Sequence, residues 1–154
     1  MSLSTTTTSS SSYKAEFPTH LPINPSVLKF LEKFYEISDN PNAHDTYVNS
    51  FTDDATFKLG SKIAQGTSEI KSLRASMWEY VKSRKHTIHK VFPFGSDALE
   101  VMLYGDVEYE LKKDGSGDGD GGVRDVKEWA GRAVLRVVGG SEGEVKLGFY
   151  QVYI

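Results

Sequence analysis

Between Asn24 and Val81 apolar residues recur at helical spacing on either side of one alternating stretch, Phe51 to Gly60, and from His86 to Ile154 they recur at every second residue. That change of period predicts helix, strand, helix and then four long strands. Helices first and a meander afterwards make an α+β domain in which a curved, mixed or antiparallel sheet wraps round N-terminal helices. A sheet of that kind leaves a cone-shaped pocket, and the pocket is where function is to be sought.

The first helix starts at Asn24, a good N-cap, with Pro25 at the first helical position, and its apolar stripe is Val27, Leu28, Leu31, Phe34 and Tyr35. Ser38 to Pro41 ends it. Asn42 can cap a short helix carrying Tyr47, Val48 and Phe51, and alternation at Ala55, Phe57 and Leu59 marks a first strand. A third helix follows Gly66, with Thr67 as its expected cap and Ile70, Leu73, Met77, Trp78 and Val81 on its apolar side. The strands expected after it run from His86 to Phe94, Leu99 to Lys112, Val123 to Val138 and Val145 to Ile154, joined by loops with hairpin chemistry.

Composition narrows the partners. One domain suits 154 residues. Residues 1–22 read as a disordered Ser/Thr-rich tail, without the apolar core of a signal peptide or the arginines of an organelle presequence, and residues 23–154 as a single domain. A formal net charge of −3 supplies no basic field for phosphates, so no nucleic acid partner is expected. Cysteine is absent, which removes thiol chemistry and cysteine metal sites and is compatible with a reducing compartment. No apolar run is long enough for a membrane span, and a cytoplasmic protein is expected.

The order of elements, the segment Phe51 to Phe57, Gly66 before a helix, and Trp129 to Leu135 in a late strand together resemble the nuclear transport factor 2-like superfamily, in particular its SnoaL-like branch. The resemblance covers about Asn24 to Ile154 and implies a cone-shaped sheet, a central cavity and dimerisation through the outer sheet face. It implies no single activity, since members include polyketide cyclases, steroid isomerases, scytalone-type dehydratases, hydrolases and proteins that only bind or assemble. His86 matches the place where scytalone-dehydratase-like members carry a pocket histidine, and Asp39 is similar in position to their pocket aspartate. A second pocket histidine of those enzymes, on the strand matching Tyr104 to Leu111, has no counterpart here.

His86 and Asp39 are therefore the candidate catalytic pair, a histidine able to move a proton near neutral pH beside a carboxylate. The competing reading makes Asp39 a turn cap and His86 a ring bonded to backbone. Tyr35, Tyr47, Trp78, Tyr104 and Trp129 are candidate pocket residues, offering hydroxyl or indole donors, and plain core packing competes for each. Glu128, Arg132 and Arg136 fall on the strand face opposite Trp129, where an outer charged face or dimer rim competes with a ligand carboxylate contact. His89, three residues after His86, points to the other face, so no metal site is expected. Asp53 and Asp54 diverge as neighbours, and Asp114 to Asp125 resembles a calcium loop without its flanking helices or final glutamate. Two functions stay open: an isomerase, cyclase or dehydratase working without cofactor on a small apolar, oxygenated molecule, or a binding or dimeric assembly module of the same fold.

Overall fold

The computed structural model describes residues 11–18, 20–21, 23–112, 124–139 and 143–154. Helix α1 spans Pro25–Ser38, and the Asn24 side chain accepts the Ser26 N–H at 2.9 Å, one of the donors a helix start leaves without partner. Its stripe of Val27, Leu31, Phe34 and Tyr35 is buried, at about 1.5–3 kcal/mol for each fully covered large side chain. Helix α2 is His44–Asn49 and places Tyr47 and Val48 in the same core. Strand β1, Phe51–Leu59, begins before the alternation at Ala55, because the Ser50 carbonyl already accepts from Leu147 and Phe51 is in register with Leu147.

A short strand, β2, Lys62–Gln65, turns back on β1 and shows no pattern of its own in the sequence. Helix α3 is Gly66–Met77. Gln65, not Thr67, is its N-cap, and the Glu69 carboxylate reaches back to the Gln65 N–H at 2.7 Å. The helix stops at Met77 rather than reaching Val81, because Val81 already pairs with Leu111 at the start of the next strand. That strand is β3, Val81–Phe94, followed by β4, Glu100–Leu111, β5, Arg124–Val138, and β6, Glu144–Tyr153. Residues 114–123 of the calcium-like loop lie outside the described residues.

The six strands form one mixed sheet in the order β2-β1-β6-β5-β4-β3. The four long strands are antiparallel neighbours, and β1 joins β6 in parallel. The helices cover one face, and Trp129, Ala133 and Leu135 of β5 are buried on it while Glu128, Arg132 and Arg136 alternate to the other. Val137, at the end of the same apolar row, is exposed. No helix among the described residues is long and apolar enough to cross a membrane.

One bulge determines which way β3 points its side chains. Ile88 pairs with Gly105 and Lys90 with Tyr104, so His89 is an extra residue. Arg84, His86 and Ile88 face the core before the bulge, and Val91 faces it after. Gly105 permits the close approach: a Cβ there would lie 2.1 Å from the Thr87 carbonyl oxygen.

The outer edge of β3 is occupied as well. Ile88 N–H donates to the Ser12 carbonyl at 2.8 Å, Glu16 N–H to the His89 carbonyl at 2.9 Å, and Val91 N–H to the Glu16 carbonyl at 2.9 Å. Residues 12–16, which the sequence places in the tail, thus pair with the groups an edge strand leaves open. Tyr13 and Ala15 pack against the core from this segment.

Candidate active site

The C-terminus of α1 and the middle of β3 meet at Asp39. As the C-cap of α1, Asp39 has its backbone N–H on the Tyr35 carbonyl, and its side chain turns toward β3. His86 Nδ1 lies 2.5 Å from Asp39 Oδ1, and the His86 backbone N–H donates to Oδ2 at 2.8 Å. A carboxylate only accepts, so Nδ1 carries the proton and Nε2 keeps its lone pair when the ring is neutral. Burial pulls the imidazole below the usual histidine value; Asp39 opposes that shift, and the Arg84 charge adds to it. Burial alone would raise the Asp39 carboxyl, but its bonds to His86 and the charge of Arg84 hold it below the usual carboxylate value. The pair rests as an ionised carboxylate and a neutral imidazole.

Two arginines with no distinctive sequence pattern complete the surroundings. The Arg74 side chain is wholly buried and donates to the carbonyls of Ser38 at 3.2 Å, Ile37 at 3.4 Å and Asn40 at 2.6 Å. It serves the carbonyls that the end of α1 leaves open, and its charge suits the negative end of the helix. Burial brings its pKa down to about 10. Arg84 donates to the Ser38 carbonyl and, at 2.9 Å, to Ser38 Oγ, and its Nε stands 3.4 Å from Asp39 Oδ1. Both guanidinium groups lie against aromatic rings, Arg74 over Tyr47 at 4.3 Å and Arg84 over Trp78 at 4.6 Å. Period-based reading assigns arginines to the surface, and the only signal that could have found these two is the set of carbonyls that any helix end leaves open.

His86, Arg84, Tyr47, Tyr109, Trp129 and Tyr150 share the lining of a cavity of about 40 Å³ inside the cone. That is room for a water molecule or two. The small volume follows from the aromatic filling: Tyr35 and Trp129 ring centroids are 5.3 Å apart, and Tyr35 and Tyr150 share a hydrogen bond of 2.9 Å between their hydroxyls. Burial raises the Tyr35 hydroxyl pKa and pushes that of Tyr47 up to about 12, so both stay protonated. The indole N–H of Trp129 is buried without a hydrogen-bond partner among the described residues.

Among the residues singled out from the sequence, Asp39, His86, Tyr35, Tyr47 and Trp129 come together here. His86 is 5.1 Å from the Tyr35 ring and 5.5 Å from that of Trp129, centroid to centroid. Trp78 is buried beneath the arginines and does not line the cavity. Tyr104 projects from the opposite face of the sheet, 5.4 Å from the His89 ring, because it alternates with the inward residues Leu103 and Gly105. Asp54 bonds Thr52 Oγ at 2.8 Å and faces Arg136 at 3.4 Å, and Arg132 pairs with Glu100 at 2.9 Å, all remote from the cavity lining.

No protein-family model and no curated protein sequence matches the chain. Solved structures do match. An NTF2-like protein from Exiguobacterium sp. 255-15 is similar with a TM-score of 0.59 and 16% identity over 80% of this chain and 95% of that one. The fold is nuclear transport factor 2-like. SnoaL-like proteins share it: a putative SnoaL-like polyketide cyclase from Shewanella putrefaciens CN-32 is similar at a TM-score of 0.63 and 11% identity, over 84% of this chain and 89% of that one. A putative scytalone dehydratase from Novosphingobium aromaticivorans DSM 12444 is similar at 0.63 and 10% identity, over 82% and 80%. At these identities the likeness is one of nuclear transport factor 2-like fold.

Proposed function

We propose that the protein is a cofactor-independent acid/base catalyst, an isomerase, cyclase or dehydratase acting on a small, largely apolar, oxygenated molecule, with His86 as the base and Asp39 as its partner. The observation that carries this reading is the imidazole bound through Nδ1 to Asp39 while the same ring lines a cavity shared with Arg84. In the reaction, His86 Nε2 takes a proton from carbon next to a carbonyl. The C–H electron pair becomes a C=C bond and the carbonyl electrons move to oxygen. Arg84 and the Trp129 N–H, which has no partner among the described residues, are donors in the lining suited to that oxyanion. The imidazolium, balanced by Asp39, then returns the proton to another carbon, which is isomerisation, or to a leaving hydroxyl that departs as water, which is dehydration.

A substrate does not fit in about 40 Å³, so binding requires the lining to part. Leu59, Met77, Val152 and Ile154 are lining residues short of full burial whose side chains can move without breaking a polar bond. The test is solvent deuterium exchange. Cyclic and aromatic enolisable ketones are incubated with the protein in D2O, and loss of the α-proton signals is followed by NMR. Catalysed exchange with at least one of them, lost in His86→Gln, is expected. Exchange no faster than buffer for every compound would sink the proposal.

A filled cone and an apolar convex face favour a second reading, a non-catalytic assembly module. Phe92, Met102 and Tyr104 are exposed on neighbouring positions of β3 and β4, and Tyr104 is in register, across Ala130 of β5, with the exposed Tyr153 of β6. Under either reading we propose a homodimer through this face, since exposed aromatic and methionine side chains grouped on one sheet face suit a contact with a second copy. Sedimentation at micromolar concentration should return twice 17.1 kDa. A dimer with no catalysed exchange selects the assembly reading.

A further inference from the structure

The segment paired to the edge of β3 brings a side chain to the candidate site that nothing in its own sequence announces. Tyr13 hydroxyl donates to Asp39 Oδ2 at 2.9 Å. Lys85 Nζ is 3.1 Å from the same hydroxyl and 4.3 Å from the centre of the ring. Asp39 is thereby committed on both oxygens: Oδ1 to His86 Nδ1 and the Arg84 guanidinium, Oδ2 to the His86 N–H and to Tyr13. His86 and Arg84 belong to β3 and pack against the end of α1, so their contacts come with the fold. Tyr13 comes from residues 12–16, held to β3 by three backbone hydrogen bonds.

We infer that Tyr13 is a positioning residue for the Asp39–His86 pair, its hydroxyl fixing the second carboxylate oxygen while the segment that carries it closes the pair from solvent. The inference rests on the proposed role of that pair, but its consequences can be read without a substrate. A hydroxyl on Oδ2 withdraws charge from the carboxylate, and so weakens its pull on an imidazolium. Loss of the hydroxyl leaves more charge on Asp39, and loosening of the segment admits water. Both changes favour the protonated ring. The other ionisable groups around the site are Tyr35 and Glu36 of α1, Arg74 of α3, Arg84 and Lys85 of β3, and Tyr109 of β4, and neither change removes any of them.

The test is an NMR titration of the His86 Cε1–H in the full chain, assigned by its loss in His86→Gln. Tyr13→Phe keeps the ring and removes only the hydroxyl, and the His86 midpoint is expected to rise by about 0.5 unit relative to the wild type. Glu16→Pro keeps Tyr13 but removes the N–H that bonds His89, and it should move the midpoint the same way. If Tyr13→Phe does not fold, Glu16→Pro decides. A folded variant whose midpoint stays within about 0.1 unit of wild type, or falls, overturns the inference and makes the segment an edge cover only. A raised midpoint in a protein that catalyses no deuterium exchange would sink the proposed function and leave the positioning role standing.

Discussion

His86 and His89 leave the same strand on opposite faces, and each meets one aspartate: His86 with Asp39 at 2.5 Å, His89 with Asp106 at 2.8 Å. The pairs are chemically alike. Their surroundings are not: the side chains of the first are 13% and 6% exposed and those of the second 39% and 41%. Asp39 also holds a backbone N–H, a tyrosine hydroxyl and an arginine, whereas water is free to compete for Asp106. Burial and a fully engaged carboxylate are what single out the first pair as the candidate proton-transfer group.

The difference can be broken at several points. The largest effect is expected from Asp39→Asn, which leaves Arg84 buried without its ion pair and should cost about 3–5 kcal/mol in chemical denaturation. Asp106→Asn, on the open face, should cost less than about 0.5 kcal/mol. Equal losses would mean that burial does not distinguish the pairs. Gly105→Ala comes next, since its Cβ meets the Thr87 carbonyl at the bulge after which β3 turns Val91 back to the core. A loss of about 2–3 kcal/mol is expected by the same measurement.

The pH dependence is a smaller effect with a definite sign. The His86 pKa is lowered on folding, so below the usual histidine value of about 6.5 the unfolded chain takes up a proton that the folded chain resists. This contribution is complete above that value and is lost as pH falls through the folded value. Denaturation free energy should therefore drop between pH 7.5 and pH 5.5, and drop less in His86→Gln. Asp39, also lowered, acts in a separate window below about 3.9, where its contribution is lost on acidification. An identical drop in wild type and His86→Gln would remove His86 from the account.

How far the sequence could be read depends on whether a feature is periodic. Alternation along β4, β5 and β6 and the stripe of α1 are repeated signals, so the sheet, its four long strands and the first helix were legible, and so was the separation of His86 from His89. Single contacts were not. The bulge at His89 is a difference of one residue between two strands, and β2 has only the residues 62–65. Arg74 and Arg84 look like surface charges until the end of α1 is placed against them. Tyr13 lies in a stretch without period, and its role exists only because β3 has a free edge beside it. Tyr104 shows the converse limit: its residue type suits a pocket, and the strand alternation that carries it to the convex face depends on a starting register that pattern alone left open.

The central claim is that His86 is held as a neutral base, proton on Nδ1 toward Asp39 and lone pair on Nε2. Nitrogen-15 NMR of the imidazole reads both the tautomer and the midpoint in the intact protein. The account predicts a protonated Nδ1 and an unprotonated Nε2 at pH 7, with a midpoint below the usual histidine value. A proton on Nε2 in the neutral ring, or a midpoint above that value, would contradict it.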